Sequence, residues 1–236
     1  MVEIPKKGDI ITVFRNEQKF LLSYGEYIYL RELLGSVLNR DSNGKNNGEY
    51  YIRSLYYDTI YNQDHVNKIV GTSERKKIRF RIYSTDTTKV KVEIKNKYAS
   101  YSVKETGTML RADVEELING NTDILLSYDN KVINKVYGYF KKDIYKPAVI
   151  VDYEREAFLS PVEKVRITFD KNIRASKSDR LFDKNIPMLG LHSQNVVVLE
   201  VKYNHYLPPY ISQMISCCTG QRMSISKYCT AREMLY

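Results

Sequence analysis

Charged and apolar residues alternate with a period of two in two neighbouring stretches. In Lys91-Val92-Glu93-Ile94-Lys95-Asn96-Lys97 every odd position is charged and the even ones are apolar or Asn. Between Arg75 and Tyr83 the odd positions hold Arg75, Lys77, Arg79 and Arg81, and the even positions from 78 hold Ile78, Phe80 and Ile82. A period of two is a strand signature with one face for each class of side chain. The short polar link from Ser84 to Thr88 predicts a hairpin between them. The pair then shares a strongly cationic face with one carboxylate, Glu93, set in it.

Other strands are predicted over 10–22, 50–58, 101–106, 147–158, 164–176 and 196–203. In the first, Arg15, Glu17 and Lys19 share a face. In the one opened by Pro147, Val149, Val151, Tyr153 and Arg155 lie together. In 164–176, Arg166, Thr168, Asp170 and Arg174 oppose Val165, Ile167, Phe169 and Ile173. In the last, Glu200 and Lys202 oppose Leu199 and Val201. Ser23 reads as the N-cap of a helix to about Asn39, with Tyr27, Leu30, Leu33, Leu34, Val37 and Leu38 as its apolar stripe. Helical spacing recurs near 61–69, over 112–118 and over 124–140. Pro208 and Pro209 open a helix to about Cys218, 224–228 is extended, and a terminal turn or two runs from Thr230. With no repeat, low-complexity tract or clear linker, 1–236 is expected to be one domain with a short tail at 1–9.

Composition narrows the class. A chain that is 43% hydrophobic and 28% charged is expected to fold around a core. A net charge of +9 points to a polyanionic partner. No apolar run reaches the roughly 18 residues of a membrane span, and Met1–Gly8 has no apolar signal core. Cys217, Cys218 and Cys229 are odd in number and form no CxxC, which reads as reduced thiols in a cytoplasmic protein.

Five strands pair a charged face with an apolar one. That pattern alone also describes an antiparallel sheet with one wet face. Two features favour inversion. Arg and Lys dominate the polar faces instead of the usual Ser, Thr and Gln, and there are at least seven strands. A sheet that curls with its apolar face outward under helices lines its interior with charge. Such an interior requires an anion. Forked Arg donors suit phosphate oxygens, with Lys as a point charge. Carboxylates there call for a hard divalent cation, Mg²⁺ or Mn²⁺, with Glu200 the first ligand candidate and Glu17 the next. Glu93 and Asp170 are equally well explained as salt-bridge partners.

Arg79-x-Arg81, Glu93-x-Lys95, Asp152-Tyr153-Glu154-Arg155, Val165 to Asp170, Leu199-Glu200-Val201-Lys202 and Ser226-Lys227-Tyr228 stand in an order that resembles VTC domains. These are the polyphosphate polymerase domains of the triphosphate tunnel metalloenzymes. The resemblance covers about residues 10–232. It implies an α+β fold, an antiparallel β-barrel tunnel with a charged interior, wrapped by helices. By resemblance, Arg79, Arg81, Lys95, Arg155, Arg166 and Glu200 are the catalytic set. Lys19, Arg15, Tyr153, Lys202 and Lys227 contact substrate, and Glu200 with Glu17 holds Mn²⁺ or Mg²⁺. One departure is Arg15-Asn16-Glu17-Gln18-Lys19, where CYTH-type triphosphatases carry Glu-x-Glu-x-Lys. Losing one carboxylate weakens a two-metal hydrolase and favours the polymerase branch.

The implied reaction passes the γ-phosphate of ATP to the end of a growing inorganic polyphosphate chain. The acceptor phosphate is already anionic, so no general base is obligatory, in keeping with only three histidines. No GxxxxGK[ST] run exists, which excludes a P-loop. Two alternatives stand beside it: a tunnel triphosphatase acting on inorganic triphosphate or nucleoside triphosphates, and a non-catalytic polyphosphate-binding module. Nucleic acid is not expected as a partner, because Phe80 and Phe169 alternate away from the charges. A membrane-bound partner subunit remains compatible with the resemblance.

Overall fold

The computed structural model describes residues 10–13, 16–44, 48–98, 101–218 and 220–236. The chain opens with β1 (Ile10–Val13) and β2 (Asn16–Ser23). Ser23 then caps α1 (Tyr24–Gly35): its hydroxyl accepts from the Glu26 amide while the Glu26 carboxylate accepts from the Ser23 amide, a reciprocal capping box. The helix stops short of the expected Asn39, and the next turn leads to β3 (Asn39–Arg40) and β4 (Glu49–Thr59). α2 (Gln63–Val70) precedes the hairpin of β5 (Glu74–Ile82) and β6 (Lys89–Tyr98), which forms as expected. β7 (Tyr101–Leu110) runs four residues beyond its expected end into α3 (Arg111–Ile118).

The helix expected over 124–140 is two pieces, a 3₁₀ segment Thr122–Ser127 and α4 (Lys131–Asp143). The break lies at Asn130, whose side chain accepts from the amides of Val132 and Ile133 and so starts a new helix. β8 (Tyr145–Leu159), β9 (Arg166–Ser176), β10 (Leu189–Gly190) and β11 (Val196–Tyr203) follow. α5 (Pro209–Ser216), β12 (Gln221–Arg222) and α6 (Lys227–Leu235) complete the fold. α6 begins three residues earlier than expected.

The strands of the described residues join one twelve-stranded sheet, in the order β1-β7-β6-β5-β4-β8-β9-β11-β2-β12, with β3 on β8 and β10 on β9. Every pairing is antiparallel. The closed barrel expected from the sequence is not formed. β1 pairs with β7 and β2 with β11, so the two opening strands, successive in the chain, sit near opposite ends of the strand path without pairing to each other. The sheet is nevertheless strongly curled. Lys95 on β6 and Glu17 on β2 lie six strand positions apart, yet Lys95 Nζ is 3.4 Å from Glu17 Oε2. In a flat sheet that separation would be about 29 Å at the usual ~4.8 Å spacing.

Inversion of the faces is observed. The outer face of β4 to β7 carries Leu55, Ile78, Phe80, Ile82, Val92 and Ile94, packed under α3 and α4. The outer face of β2, β9 and β11 carries Leu22, Ile167, Phe169, Leu199 and Val201 under α1 and α5. Each of these side chains contributes about 1.5–3 kcal/mol on burial, which fixes which face turns outward. A third cluster was not foreseen. α6 lies against the inner face, where Val149, Val151, Ile173, Ala175 and Val198 pack on Tyr228, Cys229 and Ala231. The expected grouping of Arg174 with Asp170 fails here. Asn172 takes φ 50° and the β8–β9 register shifts. Ile173 therefore turns inward, and Arg174 turns outward to Asp152, 3.0 Å away.

Candidate active site: a basic concave face

What α6 leaves uncovered of the inner face is dominated by charged side chains, with tyrosine and serine hydroxyls among them. β5 contributes Lys77, Arg79 and Arg81; β6 Glu93 and Lys95; β7 Lys104; β8 Tyr153 and Arg155; β9 Asp170; β11 Glu200 and Lys202; β2 Glu17 and Lys19; and the first turn of α6 Lys227. Among the described residues of this face, nine cations meet four carboxylates.

Three charge clusters organise it. In the first, Glu93 is 2.6 Å from Arg79, 3.2 Å from Lys104 and 3.8 Å from Arg81. Burial would raise the Glu93 carboxyl, but Arg79, Arg81 and Lys104 hold it well below the usual carboxylate range. Arg79 also donates to the Tyr56 hydroxyl at 3.2 Å, and Arg81 to those of Ser54 and Tyr153 at 3.2 and 3.3 Å. Burial would raise Tyr56 as well; Arg79 and Arg81 bring it down to about 8.

In the second, the buried Asp170 carboxylate receives the Arg155 fork at 2.6 and 2.8 Å, and Lys227 lies 2.5 Å away. Against its burial, these two cations hold Asp170 at about 2. In the third, Glu17 and Glu200 are bridged by lysines. Lys19 Nζ is 2.8 Å from Glu17 and 3.6 Å from Glu200; Lys202 contacts Glu200 and lies 3.9 Å from Glu17. Burial and the charge of Glu200 would raise Glu17, but Lys19, Lys95 and Lys202 hold it at about 2. Burial would raise Glu200 too, and Lys202, Lys19 and Arg155 set it well below the usual range.

Lys77 differs from the rest. It has no carboxylate partner within ion-pair distance among the described residues, and its Nζ donates to the Ser226 hydroxyl at 2.8 Å. Burial, with Lys19 and Lys95 adding to it, pushes Lys77 down to about 8.

Of the residues expected from the sequence, Lys19, Arg79, Arg81, Lys95, Tyr153, Arg155, Glu17, Glu200, Lys202 and Lys227 converge on this face. Arg166 stands at its edge, bound to Asp41 at 2.5 Å and to the Tyr50 hydroxyl at 3.0 Å. Arg15 lies outside the described residues. Lys77, Lys104 and Tyr56 were missed as site residues, although strand parity places Lys77 beside Arg79. The expectation that aromatics avoid the charges holds for Phe80 and Phe169 but not for tyrosine: Tyr50, Tyr56 and Tyr153 are on the charged face.

A hard divalent cation fits this chemistry in one place. Glu17 and Glu200 are adjacent, ionised and oxygen-donating, and Mg²⁺ is commonly held by one or two carboxylates with phosphate oxygens and water completing its shell. No group of three or more His, Cys, Asp or Glu is placed to hold a metal ion among the described residues. Two histidines lie elsewhere, His205 paired with Glu163 at the surface and His65 against the edge of Tyr228, whereas burial and then the nearby Lys227 charge lower His192 below the usual imidazole value. No helix among the described residues is long and apolar enough to cross a membrane, and the three cysteines are free thiols.

A solved structure shares the fold. A putative adenylyl cyclase from Hippeastrum, described as having a dominant triphosphatase activity, superposes with a TM-score of 0.55 at 12% identity, over 92% of this chain and 95% of that one. A putative adenylate cyclase from Bacillus halodurans gives 0.49 at 10% identity, over 87% of each chain. A protein of Pyrococcus horikoshii gives 0.46 at 12%, over 93% of this chain and 96% of that one. No curated protein matches the sequence. The family model described as the VTC domain matches residues 14–236, nearly the whole length, and the chain belongs to that family.

Proposed function

We propose that this protein is a phosphoryl-transfer enzyme that lays a triphosphate along its basic concave face and passes the terminal phosphoryl to an inorganic polyphosphate chain. The observation that carries this is the surplus of cations converging on one curled face, nine against four carboxylates among the described residues. A surplus in a partly desolvated concavity is favourable when an anion fills it.

Each residue has a task the geometry suits. Arg79 and Arg81 offer forked donors to phosphate oxygens. Arg155 is already aligned by Asp170, so it presents its remaining donors without reorganisation. Lys19, Lys95, Lys202 and Lys227 supply point charge, and the Tyr153 hydroxyl adds a neutral contact. In the transfer, the bond between the γ-phosphorus and the β–γ bridging oxygen breaks, ADP leaves with that oxygen, and a terminal oxygen of the acceptor chain bonds to phosphorus. Both partners are anions, so the cations lower the barrier by holding them together in line. Glu17 and Glu200 would hold the divalent cation, which when bound supplies charge neutralisation at the phosphate oxygens.

A triphosphatase reading has one observation in its favour, the adjacent Glu17 and Glu200 carboxylates. Product analysis separates the two. With ATP and Mn²⁺ or Mg²⁺, transfer gives chains longer than pyrophosphate, and hydrolysis gives orthophosphate alone. Orthophosphate as the sole product would replace the polymerase reading with the hydrolase; no turnover and no triphosphate binding would remove both.

A further inference from the structure

We infer that Tyr50 and Tyr83 form a platform for the base of the nucleotide donor at the Arg81 end of the basic run on β5; this rests on the phosphate-binding reading above. Lys77, Arg79 and Arg81 stand at two-residue steps on the inner face of β5 and cover about 13 Å at ~3.3 Å per residue. Tyr83 is the first residue past the end of β5, two residues from Arg81, and its ring lies beside Tyr50 and Lys91. A linear ligand lying along β5 therefore meets three cations and then an aromatic ring. At the other end the run stops at α6, where Lys77 meets Ser226 and apolar side chains take over.

Tyr83 does not stand alone. Its ring centroid is 6.2 Å from that of Tyr50, at an interplanar angle of 50°. The Tyr50 hydroxyl accepts from Arg166 at 3.0 Å, and the Arg155 charge also bears on it. Lys91 Nζ sits 5.1 Å from the Tyr83 centroid. Tyr83 is 42% exposed, so part of its ring remains open to a ligand beside Lys91. An inorganic chain has nothing to stack, whereas a nucleotide presents an anionic run followed by a heterocycle. Stacking on an aromatic ring is tolerant of base identity, so this platform distinguishes nucleotide from inorganic triphosphate more than one base from another.

The test is binding, in the whole protein, of a β,γ-imido analogue of ATP and of inorganic tripolyphosphate to wild type, Tyr83→Leu and Tyr83→Trp. Tyr83→Leu is expected to weaken the nucleotide analogue roughly tenfold and leave tripolyphosphate within about twofold, with Tyr83→Trp restoring nucleotide affinity. Equal weakening of both ligands, or no change in either, would overturn the platform. If wild type binds neither ligand, the phosphate-binding reading itself falls, and the platform with it.

Discussion

Lys77 on β5 and Ser226 at the start of α6 are joined by a 2.8 Å hydrogen bond, and that bond is where the charged half of the inner face meets the apolar half. Ser226 also caps α6, its hydroxyl accepting from the Cys229 amide at 3.3 Å. A cation with no carboxylate partner is thus fixed beside the positive end of a helix dipole, an arrangement that favours an anion.

This gives the first prediction, a pH dependence. Lys77 is at about 8 in the folded protein, below its ordinary value of 10.5. The folded state binds fewer protons than the unfolded one between those two values, so stability rises with pH across that window. Anion affinity moves the other way, since it uses the charged form. Tyr56, also at about 8, becomes a phenolate over the same range and adds negative charge to the face. Tripolyphosphate affinity should therefore fall as pH rises through about 8. Lys77→Met should flatten the profile in part, and Lys77→Met with Tyr56→Phe should flatten it further, leaving the contribution of Lys95, which burial also lowers. Titrations at pH 6.5, 8 and 9.5 check this.

Asp170 anchors two cations while fully buried, and its replacement tests the second cluster. Asp170→Asn leaves Arg155 and Lys227 without their counter-charge, at a cost of about 3–5 kcal/mol. For a chain of this size that lowers the melting temperature by about 6–20 °C. Added tripolyphosphate should recover part of the loss by neutralising the same cations. Asp170 is held at about 2, below the unfolded value. Its stabilising contribution is full at neutral pH and fades as pH falls from about 4 towards 2, so the difference between wild type and Asp170→Asn should shrink in acid.

Much of this site is legible in the chain because strand parity is a rigid rule. Alternation places Arg79, Arg81, Lys95, Glu200 and Lys202 on one face with no knowledge of the pairing. The failures have local causes. Arg174 was misplaced because a left-handed Asn172 shifts the register, and parity does not survive such a bulge. The early start of α6 was missed because Lys227 and Tyr228 look extended in isolation; the Ser226 cap and packing on Val149 and Val151 make them helical. The expected barrel failed for a different reason. Face inversion requires curling, but whether a curled sheet closes depends on edge pairing, which alternation does not encode.

The metal expectation leads to a third prediction. Lys19 and Lys202 now neutralise Glu17 and Glu200, so removing one carboxylate frees cations as it removes a ligand. Glu200→Gln should reduce metal-dependent turnover on the order of a hundredfold, equivalent to about 3 kcal/mol. In EDTA the same variant should bind tripolyphosphate more tightly than wild type. Kinetics with Mn²⁺ and calorimetry without metal provide the two halves.

The central claim is that the curled inner face, with Arg79 at its middle, holds a chain of phosphoryl groups. Calorimetric titration of tripolyphosphate into wild type and Arg79→Ala tests it most directly. The account predicts saturable binding to wild type, weakened about 10- to 100-fold by the loss of charge-assisted hydrogen bonds in the variant. Equal affinity in the two proteins, or no binding to wild type, would contradict it.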